Sequence, residues 1–517
     1  MIFRIQSFRQ AAFWSTGINA FSQGMALVFS MVMAAVFGAQ DSTDVLYYCI
    51  GIFALLTGLF QAVNVSVLIP ETMRRRHQAG EADAMAFINR FFAAFGVMIV
   101  GLTAWILRDP AASMTMISRF SEEALRSNSR LVFILLASLP LQMAAQLLLD
   151  VLVSYKFLAL PATLSCVNRI LNIAFVLAFH RQLGVMSVAL GMLIGFALQV
   201  ALNLHLLRRA IHWNPFLWRT RIGAAAHRNV AWTGLGTLAS TAAGYLPLFL
   251  FSGFSAGALT TLNYARRLSA TPTQLLTSQI SNVTGIKFNE LAARNELGEL
   301  AAVFDRLCRA LVLGLVPLAY GLMLASHSIA EILFGRGDFN EAAVASVGKM
   351  FGLLILVLPL EAMNFLVARY FVARQAIAQA LPLQLAGAAI QFGAVFWSVR
   401  QWGEYGYPIG LMIFWVLYFM ALAVAMPRLF EGISIWPLMG SWLRTMGACA
   451  AVAGVVWAVG RTAGIQDWNP WASAIFRTIL FGALYGGLLK TFPPDEKAMR
   501  YGAMVWRQMT GRKWSEG

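Results

Sequence analysis

Charge is what this sequence has least of. Only 12% of its 517 residues are Asp, Glu, Lys or Arg, against about 25% in a soluble domain. With 59% hydrophobic residues and a mean hydropathy of +0.68, the chain has too little polar surface to clothe a water-soluble fold. Cysteine is scarce as well. Cys49, Cys166, Cys308 and Cys449 stand alone without metal-ligand spacing, three of them inside apolar runs, and read as small buried hydrophobes. The six histidines are scattered, and no H-E-x-x-H appears, so no metal centre is expected. There is also no G-x-x-x-x-G-K-[ST] loop, so the chain has no ATPase of its own. These absences point away from an enzyme and from any bound cofactor. If the chain moves a solute, coupling to the membrane potential or a cation gradient is the expectation.

What the sequence does have is long apolar runs. A helix needs about 20 residues to cross a bilayer, and such runs exclude an outer-membrane barrel, whose strands alternate over about 10. Helices are expected near 11–38, 45–70, 84–107, 130–153, 157–180, 183–207, 229–253, 256–284, 303–326, 343–372, 378–399, 405–427, 441–463 and 472–490. This is an all-α polytopic membrane protein with about fourteen spans.

The formal charge of +16 has two readings, nucleic-acid binding or membrane topology. The basic residues decide between them, because they sit in short loops between apolar runs. The termini and the loops near 74–76, 156, 208–228, 287–309, 369–374 and 428–444 carry about 25 of them. The opposite loops carry about nine, four of which share the 108–130 loop with Glu122 and Glu123. Positive residues stay inside. The expected location is therefore the bacterial inner membrane with both termini cytoplasmic, and the partners are membrane lipids rather than nucleic acid. Arg4 and Arg9 precede the first run, and residues 35–39 have the small-residue look of a cleavage site. That run is too long for a signal peptide, which predicts an uncleaved first helix.

The chain repeats weakly on itself at an offset of about 217 residues, which sets Gly17 on Gly234, Phe37 on Phe254 and Tyr47 on Tyr264. Six helices per repeat imply parallel repeats. The expected architecture is two six-helix lobes around a central cavity, followed by two further helices. By residue this gives an N-lobe with a basic linker over 1–228, a C-lobe over 229–440, and helices 13 and 14 with a basic cytoplasmic tail over 441–517. Pro140, Pro161, Pro247, Pro272, Pro359 and Pro382 lie in or at the ends of helices, where they permit bends.

A charge inside a span costs a few kcal/mol, roughly, and needs a reason. Arg266 and Arg267 sit well inside the eighth helix, in its most polar stretch, with Ser269, Thr271, Thr273 and Gln274. One reading is an anion clamp, since guanidinium binds phosphate bidentately and stays charged when desolvated. The other is snorkelling, or pairing with Asp44 or Glu361. Arg169, near Asn168 and Asn172, is either a substrate contact or a polar contact between helices. Asp44 opens the second helix, where capping competes with function. Glu361 is a candidate for gating or ion coupling, or for a buried pair. Asp150 reads as interfacial, while Arg90 and Arg477 are close enough to helix ends to snorkel.

Tyr264-Ala265-Arg266-Arg267-Leu268 resembles the Y-A-D-R-L segment of the MurJ/MviN family of lipid II flippases. Leu333-Phe334-Gly335-Arg336-Gly337-Asp338-Phe339 is similar to the family's L-F-x-R-G-x-F. Arg369 and Phe371-Val372-Ala373-Arg374 look like the end of its tenth helix, and Phe37-Gly38-Ala39 with Thr43-Asp44 like its F-G-A…T-D. Leu183-Gly184 through Arg208-Arg209 looks like its sixth helix, so the likeness runs over roughly 30–400. It implies the fold of the multidrug/oligosaccharidyl-lipid/polysaccharide exporter superfamily and a flippase for a polyprenyl-diphosphate-linked glycan. Lipid II or a surface-polysaccharide repeat unit would be the substrate, with glycan-synthesis or export proteins as partners. Arg267 and Arg266 are then the expected diphosphate contacts, with Arg169 and Asp44 as further substrate-binding candidates. The family's cavity arginines of helices 1 and 2 are not here: those positions fall at Gln23 and Phe29, and near Thr57 or Gly58. Two competing readings stay open, a drug/cation antiporter of the same superfamily and a transport-inactive scaffold in a glycan-export complex. A membrane glycan polymerase or ligase would need a large outer loop, and the longest here, near 108–129, is short.

Overall fold

The computed structural model describes residues 8–155, 157, 160–218, 224–465 and 468–491. Residues 1–7, the middle of the basic linker at 219–223 and the basic tail from 492 lie outside the described residues. Every described element is helical, with no strand among the described residues.

The helices form two compact units, Met1–Asn263 with Gly337–Phe339, and Tyr264–Arg336 with Asn340–Gly517. The first unit contains α1 (Phe8–Phe37), α2 (Asp41–Val63), a π turn (Asn64–Leu68), α3 (Ile69–Gln78) and α4 (Glu81–Ile106). The short α5 (Pro110–Ile117) and α6 (Glu122–Ser127) follow, then α7 (Ser129–Ser154), α8 (Leu160–Leu183), α9 (Met186–Ile211) and α10 (Ala224–Phe251). α11 (Ala258–Ala293) starts in the first unit and continues into the second. The second unit goes on with α12 (Leu297–Leu324), α13 (Ser326–Phe334), α14 (Glu341–Leu354), a 3-10 turn (Ile355–Val357) and α15 (Leu358–Ala373). It ends with α16 (Ile377–Trp402), α17 (Gly406–Leu429), α18 (Trp436–Thr462) and α19 (Pro470–Thr491).

Twelve described stretches are long and apolar enough to cross a membrane. One of them, Gln379–Leu429, holds both α16 and α17, and α11 is too polar to be among the twelve. The expectation of an all-α polytopic protein with about fourteen spans agrees with this. Large side chains such as Trp457, Trp471 and Ile479 point outward, as a lipid-facing surface requires.

Each unit has its own apolar core. In the first, Leu68, Phe87, Ile88, Phe91, Leu152 and Leu207 pack together from the π turn, α4, α7 and α9. In the second, Phe288, Phe304, Tyr370 and Phe430 form a cluster of edge-to-face and tilted rings, with Tyr370 5.3 Å from Phe304 and 5.2 Å from Phe430.

Close helix contacts depend on glycine. On α9, Gly191 and Gly195 are spaced as G-x-x-x-G. A Cβ at Gly191 would lie 3.0 Å from Asn172 Oδ1, and one at Gly195 would collide with Asn168 Oδ1. The two asparagines of α8 fill the groove this leaves, with Asn172 Nδ2 donating to Asn168 Oδ1 at 2.9 Å. Gly195→Leu should therefore separate α8 from α9, and the yield of monodisperse protein in detergent should fall severalfold.

Candidate functional site

The polar stretch of α11 becomes a site because of helical period. Arg266, Ser269, Thr273 and Gln274 fall on one face. That face lines a cavity of about 420 Å³ in the second unit, together with Glu361 and Asn364 of α15 and Tyr407 and Trp415 of α17. Glu361 reaches the cavity because the helix before it is broken. The 3-10 turn and Pro359 interrupt the α14–α15 stretch, which puts Glu361 in the first turn of α15. There the exposed N–H ends of the helix favour a carboxylate.

The Arg266 guanidinium carbon lies 5.6 Å from the centroid of the Tyr407 ring, in cation–π range. Arg266 and Glu361 share the cavity without a direct ion pair within 4.0 Å. The Ser269 hydroxyl, the Asn364 amide and the Glu361 carboxylate make no side-chain hydrogen bond to described residues. A guanidinium fork beside neutral donors suits a phosphate oxygen group, and the Tyr407 and Trp415 rings suit the faces of a sugar.

The structure brings together two of the residues singled out in the sequence, Arg266 and Glu361. Arg267 is the next residue on α11 and half-buried, but does not line this cavity. Arg169 is half-buried on α8 in the first unit, one residue from the Asn168–Asn172 pair.

Asp44 also belongs to the first unit, and its surroundings are those of a cap. It is 3% exposed. Its Oδ2 accepts the Gly257 N–H at 2.8 Å, and its Oδ1 accepts the Thr260 N–H at 2.7 Å and the Thr260 hydroxyl at 2.5 Å. The carboxylate of α2 thus satisfies the first turn of α11, where four N–H groups have no partner within the helix. Thr43 and Thr260, 217 residues apart and each third in its helix, touch through their hydroxyls at 3.0 Å. That separation equals the offset of the internal repeat.

Two features escaped the sequence reading. Asn364, a polar residue inside an apolar span one turn after Glu361, was a signal that could have been used. Asp150 reads as interfacial in the sequence, whereas the structure buries it at 5% exposure. Its oxygens accept N–H groups from Asn64 at 2.6 Å and Gln146 at 3.0 Å. Hydropathy cannot show which way a helix is turned.

With this geometry in place, the comparisons with known proteins are informative. The sequence profile of the family described as "MurJ: Lipid II flippase MurJ" matches residues 33–476. The chain belongs to the MurJ lipid II flippase family. It is 24% identical over 354 residues to the lipid II flippase MurJ of Burkholderia cenocepacia, covering 65% of this chain and 67% of that one. It is 22% identical over 267 residues to a probable lipid II flippase MurJ of Aquifex aeolicus, covering 51% and 52%. Among solved structures, a lipid II flippase MurJ in the inward closed conformation superposes with a TM-score of 0.72 at 14% identity, over 97% of this chain and 99% of the other. An inward-facing multidrug resistance MATE transporter of the MOP superfamily superposes with a TM-score of 0.63 at 13% identity, over 81% and 98%. The family is one of transporters, and this member is a multi-pass membrane protein with the MurJ/MATE-like fold.

Proposed function

We propose that this chain moves a polyprenyl-diphosphate-linked glycan from the inner to the outer leaflet of the bacterial inner membrane by alternating access. The observation that carries the reading is the family match over residues 33–476. The cavity beside Arg266 supports it. A diphosphate and its sugars cannot cross hydrocarbon bare, and fixed cationic and hydroxyl groups must replace their water. Arg266 is assigned to the diphosphate from its place in the cavity, with Glu361 as the group that modulates it. Arg267, which lies outside this cavity, is assigned to the diphosphate from the sequence resemblance alone. Arg169 is kept as a secondary substrate contact. Asp44 is reassigned to holding the start of α11.

The antiporter reading is weaker in this chain, because a cationic drug entering the cavity would meet the Arg266 guanidinium. The likeness to multidrug transporters is one of fold, at 13% identity.

The test is complementation in cells depleted of their lipid II flippase. The wild-type chain should restore growth, and Arg267→Ala, expressed to the same level, should lower plating by about tenfold or more, as loss of a charged hydrogen bond implies. A well-expressed wild type that fails to rescue would remove lipid II and direct the search to a surface-polysaccharide repeat unit.

A further inference from the structure

The cavity beside Arg266 has two ends of different chemistry. The three helices that line it, α11, α15 and α17, run in the same direction. Near their beginnings, Arg266 of α11 lies over the Tyr407 ring of α17, and Glu361 stands in the first turn of α15. Towards their other ends, Phe288 of α11 lies 6.1 Å from Tyr370 of α15, whose ring is 5.2 Å from Phe430, just after α17. With the helices parallel, position along each one reads as depth, at about 1.5 Å per residue.

Both charges belong to the shallow end. Ser269 and Asn364 follow about one turn deeper, and Thr273, Gln274 and Trp415 about two turns deeper. The steps from Arg266 to Thr273 and from Tyr407 to Trp415 put the deep end roughly 10–12 Å from the charges. Among the described residues lining that end there is no Asp, Glu, Lys or Arg. It offers amide side chains, a hydroxyl and an indole instead. Trp415 is half-buried and held by rings of its own helix, with Phe414 at 4.9 Å, Tyr418 at 6.0 Å and Phe419 at 6.2 Å. A ring fixed in this way loses little freedom when a ligand stacks on it.

That lining selects its occupant. An ion brought to the deep end would lack a countercharge. An acyl chain would set hydrocarbon against the Asn364 and Gln274 amides. A neutral sugar matches both features, because its hydroxyls donate and accept as side-chain amides do, and its C–H face packs on an indole.

We propose that Asn364, Gln274 and Trp415 form a subsite for a neutral pyranose ring, separate from the phosphate contact at Arg266. This assignment rests on the reading of the chain as a carrier of diphosphate-linked glycans. On that reading the substrate lies along the helices, its diphosphate at the shallow end and its first sugar two turns deeper. In a glycosyl diphosphate the two are joined through the anomeric oxygen, so one cavity must hold adjoining places for both. At about 420 Å³ the cavity is of the size that takes a small molecule.

The purified full chain in detergent is titrated with inorganic pyrophosphate and with D-glucose, D-galactose and N-acetyl-D-glucosamine, and the unfolding midpoint gives half-saturation. L-glucose is the control, since it shares the general stabilisation that excluded sugars exert on any protein. At least one D-sugar should raise the midpoint saturably above L-glucose, and pyrophosphate should add to that rise. Trp415→Leu and Asn364→Leu should each move half-saturation for the sugar about tenfold higher and leave that for pyrophosphate in place. Arg266→Ala should do the reverse. The assignment is overturned if no D-sugar exceeds L-glucose, if pyrophosphate competes with the sugar, or if a folded Trp415→Leu or Asn364→Leu binds sugar as the wild type does. Should neither variant fold, the wild-type titration and the competition decide. A chain that binds both ligands without rescuing flippase-depleted cells loses the lipid II reading and keeps the subsite. One that rescues without binding a D-sugar keeps the reading and loses the subsite.

Discussion

Replacing Asp44 with alanine should cost the protein its folded state before it costs any transport. The carboxylate accepts two backbone N–H groups and one hydroxyl at the start of α11, all buried. Buried as they are, those donors are poorly placed to find water in its stead. Stranding them should destabilise by about 3 kcal/mol or more. The effect is expected to spread, because α11 carries both the cap and, two turns on, Arg266 and Arg267. Thermal unfolding in detergent and the yield of monodisperse protein measure it. Thr260→Val removes only one hydroxyl from the same carboxylate and should cost about 1 kcal/mol. A variant with alanine at 44 that kept its midpoint yet lost transport would return Asp44 to substrate handling.

The cap shows where sequence reasoning reaches its limit. The helices themselves were legible, because the bilayer imposes a length and an apolar composition that a single run of residues displays. The polar stretch of α11 was legible for the same reason, as an exception to that rule. The partners of those polar groups were not. Asp44 meets Thr260 across 216 residues, and Glu361 shares a cavity with Arg266 only because the chain breaks at Ile355–Val357. The break has a visible cue in Pro359, yet the turn and the rotation of α15 follow from packing. The π turn at Asn64 has no cue in composition, and without it Asp150 reads as a residue at a helix end.

The second large effect concerns Arg266, and it separates two tasks the residue performs at once. Arg266→Ala removes the guanidinium from the cavity and leaves the Glu361 carboxylate facing only neutral groups of its lining. Two losses are expected, a lower unfolding midpoint from the uncompensated carboxylate and a fall in rescue of about tenfold or more from the missing phosphate contact. Glu361→Gln keeps the shape of the side chain and should leave the midpoint close to that of the wild type. The double variant, Arg266→Ala with Glu361→Gln, is the decisive one. With both charges gone the cavity is neutral, so the midpoint should return most of the way to the wild-type value. Rescue should stay lost, because nothing in the double variant replaces the guanidinium fork. If instead the double variant regains growth, Arg266 serves to neutralise Glu361, and the diphosphate is held elsewhere, with Arg267 as the remaining arginine of the segment. Stability and rescue move together in the single variant and apart in the double one, and that divergence is what assigns a substrate role to a charge that also has a structural neighbour.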